Sequence, residues 1–175
     1  MKEIEMVTVA LSLAYMLSHG LLYILIGTGY LFLIMLTLSP RVWGYQDYSD
    51  AIKAKVPPQT QKERVFARIV GVPWVVFMFG FPLVSTYLLK AQLGGEITFE
   101  MAFLNVFILS CFLVIGDLVI LDWLLISQIT PCFVIIPGTE VEDYKDFSHH
   151  YKAHAKATIP LLFLCVVYAA IVVYI

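Results

Sequence analysis

The residues best suited to chemistry in this sequence are one carboxylate and two histidines that recur every four positions. They are Asp146, His150 and His154. On an α-helix they project within about 80° of one another, so their side chains share one face. Imidazole nitrogens and a carboxylate oxygen can bind a divalent metal and leave a position for water or substrate. The spacing predicts a zinc, iron or manganese site, and the alternative is a solvated helix face at the lipid headgroups.

Three further acidic residues are candidates for acid–base chemistry: Asp117, Asp122 and Glu140. Both aspartates fall in a long apolar run, and a carboxylate inside a membrane is costly and usually faces the bundle interior or water. Because they are five positions apart, they lie about 140° apart around an α-helix and are not expected to act as a pair. For Asp122 we favour a structural salt bridge with an arginine of residues 41–68. For Asp117 a functional and a structural role are equally open.

A polar stripe runs along the first apolar segment. Its Thr, Ser, Tyr and His side chains project within about 80° of one another on a straight helix. Four of them are the candidate ligand-lining residues: Tyr15, His19, Tyr23 and Tyr30. The stripe predicts a polar cavity or a water path, and the alternative is that these groups join helices by hydrogen bonds.

Composition indicates which elements hold these residues in place. The chain has 175 residues, of which 61% are hydrophobic and 14% charged, and this is too apolar for a soluble domain. A helix needs about 20 apolar residues to cross the hydrocarbon of a bilayer. Four stretches qualify, at about residues 6–38, 69–89, 101–126 and 158–175. We therefore expect a single all-α membrane domain with four transmembrane helices.

The distribution of positive charge predicts the orientation. Nine of the 11 Lys and Arg residues fall in residues 41–68 and 127–157. Loops on the cytoplasmic side carry the excess of Lys and Arg. Both loops are therefore predicted to be cytoplasmic, which places both termini outside the cell membrane.

Each predicted loop contains the pattern of an amphipathic helix on the cytoplasmic face. Apolar residues recur at helical spacing in residues 45–56, and a capping box at residues 60–63 then begins the next helix. In the second loop, the apolar segment 131–137 is too short to span a membrane and should lie at the interface or dip into the protein. A second interfacial helix is expected over residues 140–157.

Part of the second half resembles a group of small multi-pass prokaryotic membrane proteins of unknown function. The resemblance lies in Asp122-Trp123, Pro-Gly-Thr-Glu at residues 137–140, Tyr-Lys-Asp at residues 144–146 and the His-x-x-x-His spacing of residues 150–154. It covers a small part of the chain and implies the location of a site, without a particular chemistry.

Three classes of function remain open. The leading one is an enzyme or ligand-binding protein with a metal or acid–base site at its cytoplasmic face, acting on a lipid or another apolar small molecule. The second is an oligomeric carrier of an ion, proton or small solute, and the third is an accessory subunit of a larger membrane complex. The lipid bilayer is the expected partner, and a net charge of −2 gives no reason to expect nucleic acid.

Overall fold

The structure is a computed structural model. It describes residues 2–175, except for the side chains of residues 2–5 and 7. The described residues form helices and connecting segments, without a strand among them. Four helices are long and apolar enough to cross a membrane: Thr8–Thr37, Gln61–Gln92, Phe99–Ile129 and Val141–Tyr174. The expected number of membrane-spanning helices is confirmed by length and composition.

The helices follow one another along the chain with short connections. Six of them are α-helices: α1 Lys2–Thr37, α2 Pro40–Trp43, α3 Asp50–Lys55, α4 Gln61–Gln92, α5 Phe99–Gly116 and α6 Ser148–Tyr174. A π-helix, Asp117–Ile129, continues α5, and a single 3₁₀ turn, Val141–Tyr144, precedes α6. Helix α5 packs against α1, α4 and α6, so it is the central helix of the bundle.

The start of α4 is the capping box predicted from the sequence. The Thr60 amide donates to Glu63 Oε2 (2.7 Å), and the Glu63 amide donates to Thr60 Oγ1 (3.2 Å). The guanidinium of Arg41 donates to both oxygens of the same carboxylate, at 2.7 and 3.1 Å. Hydrogen bonding to Glu63 raises the pKa of Arg41. The first loop is thereby fixed to the beginning of α4.

The apolar residues of the first loop are buried in the protein. Helix α3 spans only six residues, and Tyr48, Ile52 and Val56 belong to a core that also contains Val134 and Ile136. The Tyr48 hydroxyl donates to Val134 O (2.9 Å), and burial raises the pKa of Tyr48. The expectation that segment 131–137 dips into the protein is confirmed, because Val134 and Ile136 are fully buried.

The helix predicted over residues 140–157 begins later than expected, at Ser148. The buried Tyr144 hydroxyl accepts a hydrogen bond from the Ile136 amide (2.9 Å) and holds residues 141–144 against the core as a 3₁₀ turn. Asp146 lies outside the helix, where its Oδ1 accepts from the Ser148 amide (2.9 Å). Aspartate side chains often bond to a nearby amide in this way instead of continuing a helix. The prediction of a helical face that includes Asp146 was wrong for this reason.

Candidate metal centre

The π-helix changes the relation between Asp117 and Asp122. Its 13 residues begin at Asp117 and end at Ile129. In a π-helix each amide bonds to the carbonyl five residues earlier, so the turns are wider and residues five apart lie nearer to the same face than in an α-helix. The expected separation of about 140° assumed an α-helix and was wrong, because the two carboxylates lie close enough to share a ligand, whereas their action as an acid–base pair stays untested. Helices of this kind are rare and occur often at functional sites.

The end of the π-helix is stabilised by several polar contacts. Thr130 follows with a φ of 50°, which is unusual for a β-branched residue. Its amide donates to Leu125 O (2.9 Å) and its hydroxyl to Ile126 O (2.7 Å). The Lys145 ammonium donates to Thr130 Oγ1 (2.9 Å) and to Gln128 O (2.8 Å). A positive charge at this position is favourable because the last carbonyls of a helix carry partial negative charge.

Asp122 lies between two histidines of α6. Its Oδ1 is 3.1 Å from His150 Nδ1, and its Oδ2 is 2.9 Å from His154 Nε2. Asp117 Oδ2 lies 3.8 Å from the same His154 nitrogen. The side chain of Asp122 is only 14% exposed. We call these four residues, Asp117, Asp122, His150 and His154, the Asp122 cluster.

The salt bridge expected between Asp122 and an arginine of residues 41–68 is absent among the described residues. Arg41 is bound by Glu63, and Asp122 pairs with the histidines instead. The sequence does not reveal this pairing, because Asp122 and the two histidines come into contact only when α6 packs along the π-helix.

Three members of the Asp122 cluster can hold a metal ion. Asp117, Asp122 and His154 each offer one ligand atom, and these atoms lie within 4.8 Å of one another. Three protein ligands with a fourth position open is the arrangement of catalytic zinc sites. His150 contacts the other oxygen of Asp122 and can orient that carboxylate, as neighbours of metal ligands commonly do.

The Asp122 cluster faces a cavity of about 780 Å³, a volume typical of sites for small molecules. Its wall is formed by α1, α2, the loop before α3, α4, the π-helix and α6. Asp117, Asp122, His150 and His154 all belong to this wall. A metal bound there would be accessible to a ligand in the cavity.

Comparison of this chain with known protein families, curated proteins and solved structures gives no match. The geometry of the site therefore carries the functional argument.

Of the six residues predicted for metal binding or acid–base chemistry, four lie together at the cavity and two lie elsewhere. His150 and His154 meet Asp117 and Asp122 at the cavity. Asp146 and Glu140 are exposed and do not line it. The Glu140 amide instead donates to Asp143 Oδ2 (3.0 Å). The carboxylates beside the histidines thus come from the π-helix.

The sequence analysis gave no role to most residues of the cavity wall, among them the titratable residues Asp47 and His149. The Nε2 of His149 lies 3.1 Å from Asp47 O, so this histidine points toward the first loop. No local spacing indicates this contact, since the two residues are far apart in the chain and meet only in the folded bundle.

The polar stripe of α1 packs against the backbone of α4. The hydroxyls of Tyr15, Tyr23 and Tyr30 donate to the carbonyls of Ser85 (2.8 Å), Met78 (2.6 Å) and Val70 (2.8 Å). None of these tyrosines lines the cavity described above, so their assignment as ligand-lining residues stays a prediction. The observed bonds are of the kind that hold membrane helices together.

His19 belongs to a second polar group, in the half of the bundle away from residues 41–60 and 130–147. Its Nδ1 lies 3.0 Å from Ser85 Oγ. Asn105 Nδ2 donates to Thr86 Oγ1 (2.9 Å) and to Ser85 Oγ (3.4 Å). We call these residues, Tyr15, His19, Ser85, Thr86 and Asn105, the Ser85 network.

Proposed function

We propose that this protein binds a divalent metal ion in the membrane through Asp117, Asp122 and His154, and presents it to a cavity that admits a lipid or another apolar small molecule. The observation that carries the proposal is the π-helical pairing of the two aspartates beside His154. Two partly buried carboxylates whose oxygens lie within 4.8 Å repel each other unless one is protonated or a cation lies beside them, and a bound metal ion would supply that charge.

The chemistry of the ligands favours zinc, manganese or iron. Carboxylate oxygens suit manganese, and imidazole nitrogen suits zinc and iron, so the mixed set is compatible with all three. A metal with an open position acts as a Lewis acid and lowers the pKa of a bound water. His150 would orient Asp122, and the cavity would admit the molecule that reaches the open position of the metal.

The proposed location is the cytoplasmic face of the cell membrane, with both termini outside. The charge distribution of the two loops supports this orientation. The loops pack on each other through Tyr48 and Val134, which is consistent with their lying on one side. The wall of the cavity includes residues of the first loop, such as Trp43 and Asp47, so the site would open near that face.

Metal analysis of two asparagine variants tests the proposal. The protein is purified in detergent from cells supplied with zinc, manganese and iron, and its metal content is measured by plasma mass spectrometry. We expect about one ion per chain in the wild type and in Asp146→Asn, and loss of most of the metal in Asp122→Asn, because a structural ligand contributes directly to affinity.

The two variants are matched controls, since each replaces one aspartate by its neutral isostere. Metal loss in Asp146→Asn with retention in Asp122→Asn would contradict the proposed ligands and favour those predicted from helical spacing. A wild-type protein that takes up no metal would contradict metal binding altogether.

A further inference from the structure

The cavity wall contains two arginines that no carboxylate neutralises among the described residues. They are Arg64 and Arg68 on α4, four positions apart and therefore on one face of the helix. Arg64 donates to Gln61 Oε1 (3.2 Å), a neutral partner. Arg41, by contrast, forms a two-point ion pair with Glu63. Arg64 and Arg68 are exposed residues of the cavity wall without an ion pair among the described residues, so they are free to bind an anion.

Beyond the arginines, the cavity wall becomes apolar. This part is formed by side chains of α1 and the following turns of α4: Leu31, Ile34, Val70 and Trp74. Gly71 also lies in the wall, and a Cβ atom added there would meet no atom within 4 Å. Its neighbour Val72 is 58% exposed. The apolar wall therefore lies beside the apolar outer surface of α4.

We propose that the cavity binds an amphiphile with a phosphate headgroup, held by Arg64 and Arg68, with its hydrocarbon chain along Gly71 and Trp74. A guanidinium binds phosphate through two parallel hydrogen bonds, and this makes arginine the preferred residue for such groups. A divalent ion at the Asp122 cluster would offset the negative charge of Asp117 and Asp122, which line the same cavity. Only this last effect rests on the proposed metal binding.

Replacing the two arginines by neutral residues tests the headgroup. Dioctanoyl phosphatidic acid, dioctanoyl phosphatidylcholine and inorganic phosphate are titrated separately into the detergent-solubilised protein. We expect phosphatidic acid to bind the wild type more tightly than phosphatidylcholine. The double variant R64Q/R68Q should bind it at least about tenfold more weakly, because it loses charge-assisted hydrogen bonds.

The matched control removes two positive charges elsewhere. Lys62 and Lys152 are exposed and do not line the cavity, so K62Q/K152Q should bind phosphatidic acid as the wild type does. Equal weakening in both double variants would show a general charge effect and overturn the assignment of Arg64 and Arg68. Phosphatidylcholine also contains a phosphate but has no net charge, so equal binding of the two lipids would overturn a phosphate headgroup of net negative charge held by the arginines.

The hydrocarbon chain is tested by filling the cavity at Gly71. Gly71→Leu adds a side chain to open space and should weaken phosphatidic acid binding at least about tenfold, while inorganic phosphate binds as before. Gly80→Leu is the matched control on the same helix, since a Cβ there also meets no atom within 4 Å and Gly80 is not part of the wall. Equal phosphatidic acid binding in both glycine variants would mean that the ligand is a soluble phosphate compound, and would overturn the amphiphile.

Metal analysis of the same samples keeps the two proposals separate. A variant that loses phosphatidic acid but retains its metal supports the inference and the metal centre together. A wild type without metal that binds phosphatidic acid through the two arginines overturns the metal centre alone.

Discussion

The Ser85 network and the Asp122 cluster both place histidine among polar side chains within the bundle, but their surroundings differ. The Ser85 network consists of neutral groups, and its bonds join α1, α4 and α5. The Asp122 cluster brings two carboxylates together beside His154 and faces a cavity. The neutral groups of this network bond to each other or to backbone carbonyls, and among them only Asn105 Oδ1 is buried without a hydrogen-bond partner. Two adjacent carboxylates repel each other unless one of them is protonated or positive charge lies beside them.

The comparison teaches that residue type alone does not distinguish structural from functional polar groups in a membrane bundle. His19 and His154 both lie within apolar helices, yet His19 contacts a serine and His154 contacts two aspartates. The presence of carboxylates and of open volume marks the second position as a binding site. Three predictions test this distinction, from the largest expected effect to the smallest.

The strongest test replaces His154 and His19 by alanine, each in its own variant. His154→Ala removes a metal ligand, and we expect metal affinity to fall by more than about 100-fold, because even neighbours of metal ligands contribute 10- to 100-fold. His19→Ala should leave metal affinity unchanged and affect only thermal stability. The measurement is competition with a metal-sensitive chelating dye. If both variants bind metal equally well, the two regions do not differ in function.

A second test concerns the contribution of His150. This residue contacts Asp122 Oδ1 but does not belong to the group of three ligands. We therefore expect His150→Ala to weaken metal binding by about 10- to 100-fold without abolishing it. The same dye competition measures the effect. An affinity loss as large as that of His154→Ala would make His150 a direct ligand, and no loss would exclude it from the site.

The smallest effect is expected in the hydrogen bonds of the α1 stripe. Pro82 has no amide hydrogen, so the Met78 carbonyl four residues earlier lacks its helical donor, and the Tyr23 hydroxyl bonds to it instead (2.6 Å). Tyr23→Phe should destabilise the protein by about 0.6 to 1.7 kcal/mol, the range for such bonds in membranes. Thermal unfolding in detergent provides the measurement, and metal content should not change.

Pro82→Ala provides the control for this bond. It restores an amide that can donate to Met78 O, so Tyr23→Phe should cost less in the Pro82→Ala protein than in the wild type. The same cost in both backgrounds would show that the Tyr23 hydroxyl does not stabilise the bundle by replacing the missing amide hydrogen of Pro82.

Much of the fold follows from local sequence patterns. The four apolar helices, the capping box at Thr60 and the burial of segment 131–137 depend on hydropathy, spacing and prolines, which act locally. These features could be predicted because neighbouring residues determine them.

The metal centre could be predicted only in part. The His150 and His154 spacing identified one side of it, but the partner carboxylates depend on the π-helix. Hydropathy in this segment is high throughout and does not distinguish a π-helix from an α-helix. Asp146 was assigned to the helical face because its spacing fits, whereas its bond to the Ser148 amide places it outside α6. The π-helix and the local bond of Asp146, which hydrophobic spacing does not reveal, decided the two points.

Anomalous diffraction from crystals of the metal-loaded protein tests the central claim most directly. Data collected at the absorption edge of the bound metal locate the ion without reference to its chemistry. The account predicts one peak in the cavity, within about 2.0 to 2.2 Å of an oxygen of Asp122 and of a nitrogen of His154, with Asp117 as the third ligand. A peak at Asp146 with none in the cavity, or no peak in metal-loaded crystals, would contradict it.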